Sequence, residues 1–494
     1  MGMKIIVFLL FVIFSIILIF YFQQINPNYV CKDCNVILIS IDSLRADHVG
    51  VYGYEKNTTP NIDRFASESI LFKNYITQSY LTPVSEFSLH TSLYPHQHGL
   101  IIPWPSDNEY KLTNPPVTIA EILKSYNYTT IAISTSPEFK VFRDFGNGYH
   151  ISNFSYVRDL PVIDEQLISV MKNKKFFLWL AIGTVHAPYG KYVPEEIQNK
   201  YENLQYRGLF KNKVINLVEI NSIYNYTYYP LYERGEWLER NVSENPVQLN
   251  QDDIDFIVAK YDAGIEHMDN FLGNFFNILK SAGLEKNTII IFTSSHGEEL
   301  GEHKYIMHYD IHESEIHVPL IIKHPGLEHK IIYTQTQSID ILPTILDFLK
   351  IPQYEKAEGN SLVPLIYNED PQFNKYIFIE RSPLWEEFAK TNTTFLPHID
   401  FGVRTSEWKL IYRTSRDFEM NNSWWGYISG QKIFVPEFEL YNIKQDPKEQ
   451  KNLYFDRIDV ADRLKTNLFE WIKEKGIAIF NRTDIEVVKI FPYP

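Results

Sequence analysis

The chain has 494 residues, of which 45% are hydrophobic and 22% are charged. This length and apolar content are sufficient for one large globular domain and a smaller one, and they exclude general disorder. Its 47 basic and 61 acidic residues give a formal net charge of −14. Because nucleic-acid binding needs clustered Lys and Arg, we predict no nucleic-acid partner.

The N-terminal segment Ile5–Phe22 contains no charged residue and one clearly polar residue, Ser15. As a helix it would be ~27 Å long at ~1.5 Å per residue, about the thickness of a bilayer core. Lys4 precedes it and no small-x-small cleavage motif follows it. We therefore expect residues 1–30 to be an uncleaved transmembrane anchor and linker, with the body outside the cytoplasm. A cleaved signal peptide is the alternative.

Two further features are typical of an exported protein. Cys31 and Cys34 directly follow the anchor segment, where they form either a small disulfide loop or two idle thiols. Eight Asn-x-Ser/Thr sequons indicate a glycoprotein; they begin at Asn57, Asn127, Asn153, Asn225, Asn241, Asn392, Asn421 and Asn481.

Residues 31–373 alternate between short apolar runs and helical periods, which predicts one large α/β domain with a mostly parallel sheet flanked by helices. The predicted strands are Val36–Ile41, Thr129–Ser134, Phe176–Ala181, Thr288–Thr293 and Pro319–Lys323. The predicted helices are Pro60–Ser69, Val117–Ser125, Ile254–Ala282 and Ile341–Leu349. Residues 198–250, rich in Tyr and Asn, are predicted to be an insertion over the sheet edge.

Residues 374–494 follow a different pattern, with short strands followed by one helix. This pattern predicts a smaller antiparallel α+β subdomain packed beside the main domain. The predicted elements are the strands Tyr376–Glu380, Gly402–Arg404, Lys409–Tyr412 and Glu439–Tyr441, and the helix Val460–Glu474.

Polar residues follow two of the predicted strands. Asp42 follows Val36–Ile41, and His296 comes shortly after Thr288–Thr293. Since the carboxyl ends of parallel strands share one edge of a sheet, we expect both side chains to meet there as ligands of a divalent metal ion. Thr82 begins a helical stretch and is a candidate nucleophile that such a metal would activate. Helix capping is the alternative role, with Ser85 as a possible cap in its place.

Four segments in this order carry a family resemblance: Asn35–Asp42, Thr82–Thr91, Phe176–Tyr189 and Thr288–His303. Together they resemble the sulfatase family of the alkaline phosphatase superfamily. The resemblance implies an alkaline-phosphatase-like fold and one divalent ion, Ca²⁺, Mg²⁺, Mn²⁺ or Zn²⁺. It places Asp42, Thr82 and His296 as metal ligands, and Thr82, His186 and His308 as catalytic residues.

The chain also departs from the family pattern. Thr82 stands where sulfatases carry the cysteine that becomes formylglycine, so formylglycine cannot form. Glu86 replaces the arginine of that segment, and Ser43 and Ser295 stand at the positions of two missing Asp ligands. We therefore expect weak metal binding, or loss of the metal, at this site.

The resemblance implies a membrane-anchored, extracytoplasmic hydrolase or transferase that acts on sulfate or phosphate esters through Thr82. Its expected partners are a sulfated or phosphorylated glycan, a lipid headgroup or a small ester. The alternative is a catalytically inactive surface protein that binds an anionic glycan or lipid headgroup. A third interpretation, a two-metal phosphodiesterase, would need further ligands such as Asp47, His312 and His317.

Overall fold

The computed structural model describes residues 29–100, 112, 114–155, 157–203, 205–211, 231–233, 236–238, 249–303, 306–308, 310–368, 370, 372–381, 400–413 and 437–477. The predicted anchor Ile5–Phe22 lies outside these ranges, as do most of the predicted insertion and five of the sequons: Asn225, Asn241, Asn392, Asn421 and Asn481. Within these ranges, none of the helices has the length and hydropathy needed to cross a bilayer.

The strands, numbered in chain order, are Asn35–Ile41 (β1), Ile70–Ile76 (β2), Thr129–Ser134 (β3), Ile151–Phe154 (β4), Phe176–Ile182 (β5), Leu231–Glu233 (β6), Glu236–Leu238 (β7), Thr288–Ser294 (β8), Glu299–Leu300 (β9), Ile306–Met307 (β10), His317–Lys323 (β11), Lys330–Ile332 (β12), Thr336–Gln337 (β13), Ile377–Arg381 (β14), Asp400–Arg404 (β15), Trp408–Tyr412 (β16) and Phe438–Asn442 (β17).

The helices are Pro60–Ser67 (α1), Thr82–Thr91 (α2), Pro95–His98 (α3), Ile119–Ser125 (α4), Glu138–Val141 (α5), Glu165–Asn173 (α6), Glu195–Tyr201 (α7), Gln251–Ser281 (α8), Glu313–Ile316 (α9), Ile341–Leu349 (α10), Val363–Tyr367 (α11) and Ile458–Glu474 (α12). All strands and helices predicted from the sequence are present, with ends that shift by a few residues.

The main sheet has the strand order β12-β2-β11-β8-β1-β5-β3-β4, and β13 also pairs with β2. Its pairs are parallel except that β11 runs antiparallel to both β2 and β8. The predicted mostly parallel sheet is therefore confirmed. Strand β1 lies between β5 and β8, and Ile41 is opposite Ile182 on one side and Ser294 on the other. This register brings the residues that follow β1, β5 and β8 to one edge of the sheet.

Alternate residues of β1 enter two different apolar cores. Ile37 and Ile39 face a cluster that includes residues of α8, and Val36 and Leu38 face a cluster that includes residues of α10. The helices therefore cover both faces of the sheet, which explains why β1, β5 and β8 are apolar along nearly all of their length. Each fully buried Ile or Leu contributes roughly 1.5–3 kcal/mol to the stability of the folded state. Burial of β1 therefore fixes the position of Asp42, the residue that follows it.

A second sheet has the antiparallel order β14-β15-β16-β17. Helix α12 packs against it through Leu464, Leu468 and Trp471, which share a cluster with Leu410 and Leu440. The predicted smaller antiparallel α+β unit is thus present in the C-terminal part of the chain.

Candidate functional site

Asp42 is the centre of a buried polar site at the carboxyl edge of the main sheet, and its side chain is 2% exposed. Its Oδ1 accepts a hydrogen bond from Thr82 Oγ1 at 3.0 Å and a longer one from Ser295 Oγ at 3.4 Å. Its Oδ2 accepts from Ser136 Oγ at 3.1 Å and from the Arg158 guanidinium. Burial opposes ionisation, but the positive charge of Arg158 holds the pKa of Asp42 well below its usual value.

Thr82 is the first residue of α2, and its side chain is buried. Its Oγ1 lies 3.0 Å from Asp42 Oδ1 and 3.0 Å from His296 Nε2. The amino end of a helix favours negative charge, so this position suits an anionic ligand. Leu81, and not Ser85, is the residue that precedes the helix, and Ser85 Oγ donates to Ser79 O. The possible capping role of Ser85 is therefore wrong, because the helix begins three residues earlier.

The orientation of His296 suits a metal ligand. Its Nδ1 lies 2.7 Å from Gly297 O, and a carbonyl oxygen can only accept, so we assign the ring proton to Nδ1. Nε2 then carries the lone pair, and it lies 3.3 Å from Asp42 Oδ1 as well as 3.0 Å from Thr82 Oγ1. The structure thus brings Asp42, Thr82 and His296 together, as predicted.

The two other histidines predicted from the resemblance lie beside this triad. The ring centroid of His308 is 4.2 Å from that of His296 and 5.0 Å from that of His186. Burial, together with the charge of Arg158, lowers the pKa of His186 to about 3, so its ring is neutral at pH 7. Burial also lowers the pKa of His308, whose Nδ1 lies 2.8 Å from Glu298 Oε1.

Three further charged residues belong to this site. Arg158 follows β4 in a loop and bridges Asp42 and Glu138. Glu298 contacts His308, and burial raises the pKa of Glu298 to about 7. Arg158 and Glu138 belong to no periodic pattern or motif of this family, so the sequence carries no signal for their pairing. Glu298 lies within Thr288–His303, a segment that resembles the family, and this position was its signal in the sequence.

The ligand atoms that the residues of the site offer are of the types that bind a divalent metal ion. Asp42 offers a carboxylate oxygen, Thr82 a hydroxyl and His296 an imidazole nitrogen, a mixed oxygen and nitrogen set. Ser43 Oγ is buried and makes no hydrogen bond to the described part of the chain. Ser295 Oγ is close to Asp42, so a longer acidic side chain there would reach the same group. Arg158 already neutralises one carboxylate oxygen, which leaves Oδ1 as the oxygen that faces Thr82.

The residues suggested for a two-metal site do not gather around Asp42. Asp47 pairs with Arg45 at 2.7 Å, and His317 Nε2 lies 2.9 Å from Lys73 O. His312 belongs to a separate cluster with Glu299 and His303. The two-metal interpretation therefore gains no support from these three positions.

Glu86 replaces the family's arginine and lies on α2 with 2% of its side chain exposed. Burial, and secondarily the negative charge of Asp42, raises the pKa of Glu86 from 4.5 to about 8. Its Oε2 lies 3.7 Å from His90 Nε2. Burial lowers the pKa of His90 to about 3, so His90 supplies no compensating charge at neutral pH.

We predict that Glu86→Gln changes the pH dependence of stability. The folded protein keeps the Glu86 proton up to about pH 8, whereas the unfolded chain releases it near pH 4.5. The folded state therefore loses stability as pH rises through this window, by up to about 1.4 kcal/mol per pH unit. The Gln variant cannot ionise, so its free energy of unfolding by urea should exceed that of the parent increasingly from pH 5 to pH 8.

The matched control is Glu470→Gln, at an exposed position of α12. Its pH profile should run parallel to that of the parent chain. If the Glu86→Gln profile also runs parallel to the parent profile, Glu86 is not protonated in the folded state and this assignment is wrong.

The chain matches the sulfatase family model over residues 34–351, and the C-terminal model of N-sulphoglucosamine sulphohydrolase over residues 301–425. It is similar to an arylsulfatase of Clostridium perfringens, at 23% identity over 530 aligned residues that cover 91% of this chain and 96% of that protein. The solved structure of BT4656 with its substrate D-glucosamine-2-N,6-O-disulfate matches with a TM-score of 0.65 and 19% identity, over 91% of this chain and 100% of that one. A phosphonate monoester hydrolase of Agrobacterium radiobacter matches with a TM-score of 0.65 and 18% identity, over 89% and 96%. With the family model covering more than half of its length, the chain belongs to the sulfatase family.

Proposed function

We propose that this protein hydrolyses sulfate or phosphate esters with Thr82 as its nucleophile. The observation that carries the proposal is the position of Thr82 Oγ1, 3.0 Å from both Asp42 Oδ1 and His296 Nε2 in a buried site at a helix amino end. A threonine hydroxyl reacts only when neighbouring groups activate it, and these two acceptors are in reach of its proton.

Asp42, Thr82 and His296 would hold one divalent metal ion. Such an ion supplies positive charge that lowers the pKa of a bound hydroxyl and neutralises an anionic ester. The protein's own contribution is to fix the position of the hydroxyl, because Thr82 Oγ1 donates its one proton to Asp42 Oδ1 and lies 3.0 Å from His296 Nε2. Family membership supports the presence of a metal ion. Activity assays with added Ca²⁺, Mg²⁺, Mn²⁺ or Zn²⁺ identify which ion it is.

In the proposed first step, Thr82 Oγ attacks the sulfur or phosphorus atom and the bond to the ester oxygen breaks. The alcohol leaves with a proton, and a sulfo- or phospho-threonine remains on the protein. Water then attacks this intermediate and releases sulfate or phosphate, which restores the Thr82 hydroxyl. If an alcohol takes the place of that water, the same site acts as a transferase.

His308 is positioned to deliver the proton to the leaving alcohol. Its Nδ1 contacts Glu298 Oε1 at 2.8 Å, so a proton lost from Nε2 can be replaced through Nδ1 from Glu298. His186 Nδ1 lies 2.6 Å from Ala187 O, which fixes its ring orientation. With its ring proton on Nδ1, a neutral His186 has only a lone pair on Nε2, so it would accept a hydrogen bond from the substrate and would not act as an acid.

The substrate class remains an ester of sulfate or phosphate on a glycan, a lipid headgroup or a small alcohol. The relatives are consistent with both sulfate and phosphate chemistry, since one is named an arylsulfatase and another a phosphonate monoester hydrolase. Because Thr82 cannot become formylglycine, we favour phosphate mono- or diesters over sulfate esters.

We further propose that the body lies outside the cytoplasm, anchored through Ile5–Phe22. Cys31 and Cys34 form a disulfide, and disulfides persist mainly in oxidising compartments. The asparagines of the three described sequons, Asn57, Asn127 and Asn153, are exposed and therefore accessible to a glycosyl transferase.

One observation favours the alternative of an inactive surface protein. The Arg158 guanidinium already pairs with Asp42 and Glu138, so the buried carboxylates have a counter-ion without any metal. Ser43 and Ser295 in place of two acids further reduce the negative charge that would attract a cation. Such a site would bind an anionic glycan or headgroup and leave it intact.

We predict that Thr82→Ala removes turnover of aryl sulfate, aryl phosphate or aryl phosphodiester, whichever the parent hydrolyses with added Ca²⁺, Mg²⁺, Mn²⁺ or Zn²⁺. The expected loss in kcat is at least about 1,000-fold, because no hydroxyl remains to form the intermediate. Thr82→Ser should keep part of the activity. The control Thr466→Ala, on the exposed side of α12, should retain full activity.

Full activity of Thr82→Ala would contradict the nucleophile assignment. If the parent chain binds no metal and hydrolyses none of the three esters, the inactive binding protein becomes the better description.

We also predict that Ser295→Asp tightens metal binding at the proposed site. The Ser295 hydroxyl is 3.4 Å from Asp42 Oδ1, so a carboxylate at this position adds a charged ligand next to the existing one. Isothermal titration with Mn²⁺ should show at least about a tenfold lower Kd, as expected from 1.4 kcal/mol of added interaction. The control Ser295→Asn has a side chain of the same size without the charge. Equal affinity of the Asp variant, the Asn variant and the parent would mean that Ser295 does not face the metal.

A further inference from the structure

A second group of metal-binding side chains lies outside the Thr82 site. Glu299 belongs to β9, His303 follows β9, and His312 directly precedes α9. One ligand atom from each of these residues lies within 4.8 Å of the ligand atoms of the other two. We refer to these three residues as the Glu299–His303–His312 cluster.

Two members of the cluster are buried without complete hydrogen bonding. Glu299 is 0% exposed and His312 is 4% exposed. Glu299 Oε1 lies 2.7 Å from His303 Nδ1 and accepts a hydrogen bond from Ser314 Oγ, but Glu299 Oε2 has no hydrogen bond to the described residues. Neither ring nitrogen of His312 makes a well-aligned hydrogen bond within the same ranges. Buried polar atoms of this kind normally have a partner, so the cluster has free capacity for a ligand.

The surroundings of the cluster carry more negative than positive charge. Six buried carboxyl groups and four buried cationic side chains belong to the cluster or to the ion pairs beside it, so acidic groups outnumber basic ones by two when the histidines are neutral. The carboxylates are Glu299, Asp310, Glu313, Asp400, Glu439 and Glu449, and the cations are Arg381, Arg404, Lys409 and Arg413. Arg45, whose charge also acts on Glu299, is already paired with Asp47 and Glu302.

Protonation of both histidines is an unfavourable way to balance these charges. The rings of His303 and His312 are stacked, with centroids 3.8 Å apart and planes inclined by 13°. Two imidazolium rings at this distance would repel each other strongly in a buried environment. One divalent cation would balance the two negative charges and accept the lone pairs of neutral rings.

We propose that Glu299, His303 and His312 bind a transition-metal ion, with Zn²⁺ as the best match. Two imidazoles and one carboxylate form a ligand set typical of Zn²⁺. Asp310 Oδ2 lies 3.4 Å from His312 Nδ1 and Glu439 Oε2 lies 3.6 Å from His312 Nε2, so a carboxylate is available to orient whichever nitrogen does not bind the metal.

The site would connect the β9–β10 hairpin, which forms its own two-stranded sheet, with the C-terminal sheet. His303 and His312 belong to the main domain, whereas Glu439 belongs to β17 and Glu449 follows it. His303 Nε2 also lies 3.2 Å from Glu449 O. The hairpin carries Glu298, which contacts His308 beside Thr82, so a metal at Glu299 would hold in place a strand that also serves the proposed active site.

The test uses the full chain with Asp42→Asn, which disables the proposed metal site at Thr82 without touching the cluster. We expect this variant, stripped with chelator and reloaded with Zn²⁺, to retain one tightly bound equivalent. X-ray absorption at the zinc edge should show two imidazole nitrogens around it. Adding His312→Gln should weaken binding at least about 100-fold, while adding His329→Gln, at an exposed histidine elsewhere, should leave it unchanged.

The proposal is overturned if Asp42→Asn binds no tight zinc, if its zinc has fewer than two imidazole ligands, or if His312→Gln leaves the affinity unchanged. Should the His312→Gln chain fail to fold, the absorption spectrum of Asp42→Asn alone decides. Neither readout measures turnover, so this test is independent of the proposed hydrolase activity.

Discussion

The structure depends above all on how the buried negative charge of Asp42 is compensated. A carboxylate at 2% exposure is costly unless donors and cations surround it. Here Thr82, Ser136 and Arg158 donate to it, and His296 lies 3.3 Å away. These side chains come from α2, from the segments after β3 and β4, and from the segment after β8. Compensation of this one charge thus brings together side chains from four separate segments of the chain.

The sheet register determines which residues meet at that point. β1 is buried along its whole length and pairs in parallel with β5 and β8, so its carboxyl end lies beside theirs. This is why the sequence was sufficient to predict that Asp42 and His296 approach each other: apolar runs identify the strands, and parallel pairing aligns their ends. The helix at Thr82 was also predictable from its local sequence, but its start was not, because Leu81 and not Ser85 precedes the first helical residue.

The rest of the site was not predictable, because it depends on pairing between distant charged side chains. Arg158 lies in a loop without periodicity, and its two partners, Asp42 and Glu138, are remote in sequence. The buried pair of Glu298 and His308 likewise forms only when the β9–β10 hairpin folds back. Patterns of apolar residues specify the scaffold, whereas the polar contacts that it encloses follow from three-dimensional packing.

The substitutions that distinguish this chain from the family pattern share a consequence for charge. Serines at positions 43 and 295 remove two carboxylates, and the folded chain places the cation of Arg158 next to Asp42. Glu86 replaces a cation, but burial raises its pKa to about 8 and keeps it neutral at pH 7. The site therefore holds much less negative charge than two further carboxylates would give it. A site of this kind attracts a metal ion weakly and an anionic ester readily. The proposed chemistry therefore depends mainly on Thr82.

The central claim is that Thr82 becomes covalently modified during turnover. The most direct measurement is rapid acid quenching of the full chain with aryl phosphate or aryl sulfate and metal, followed by peptide mapping with mass spectrometry. We predict a phospho or sulfo group on Thr82 in the parent chain and none in Asp42→Asn, which lacks the carboxylate that orients the hydroxyl. Turnover without any adduct on Thr82, or with an adduct on another residue, would contradict the account.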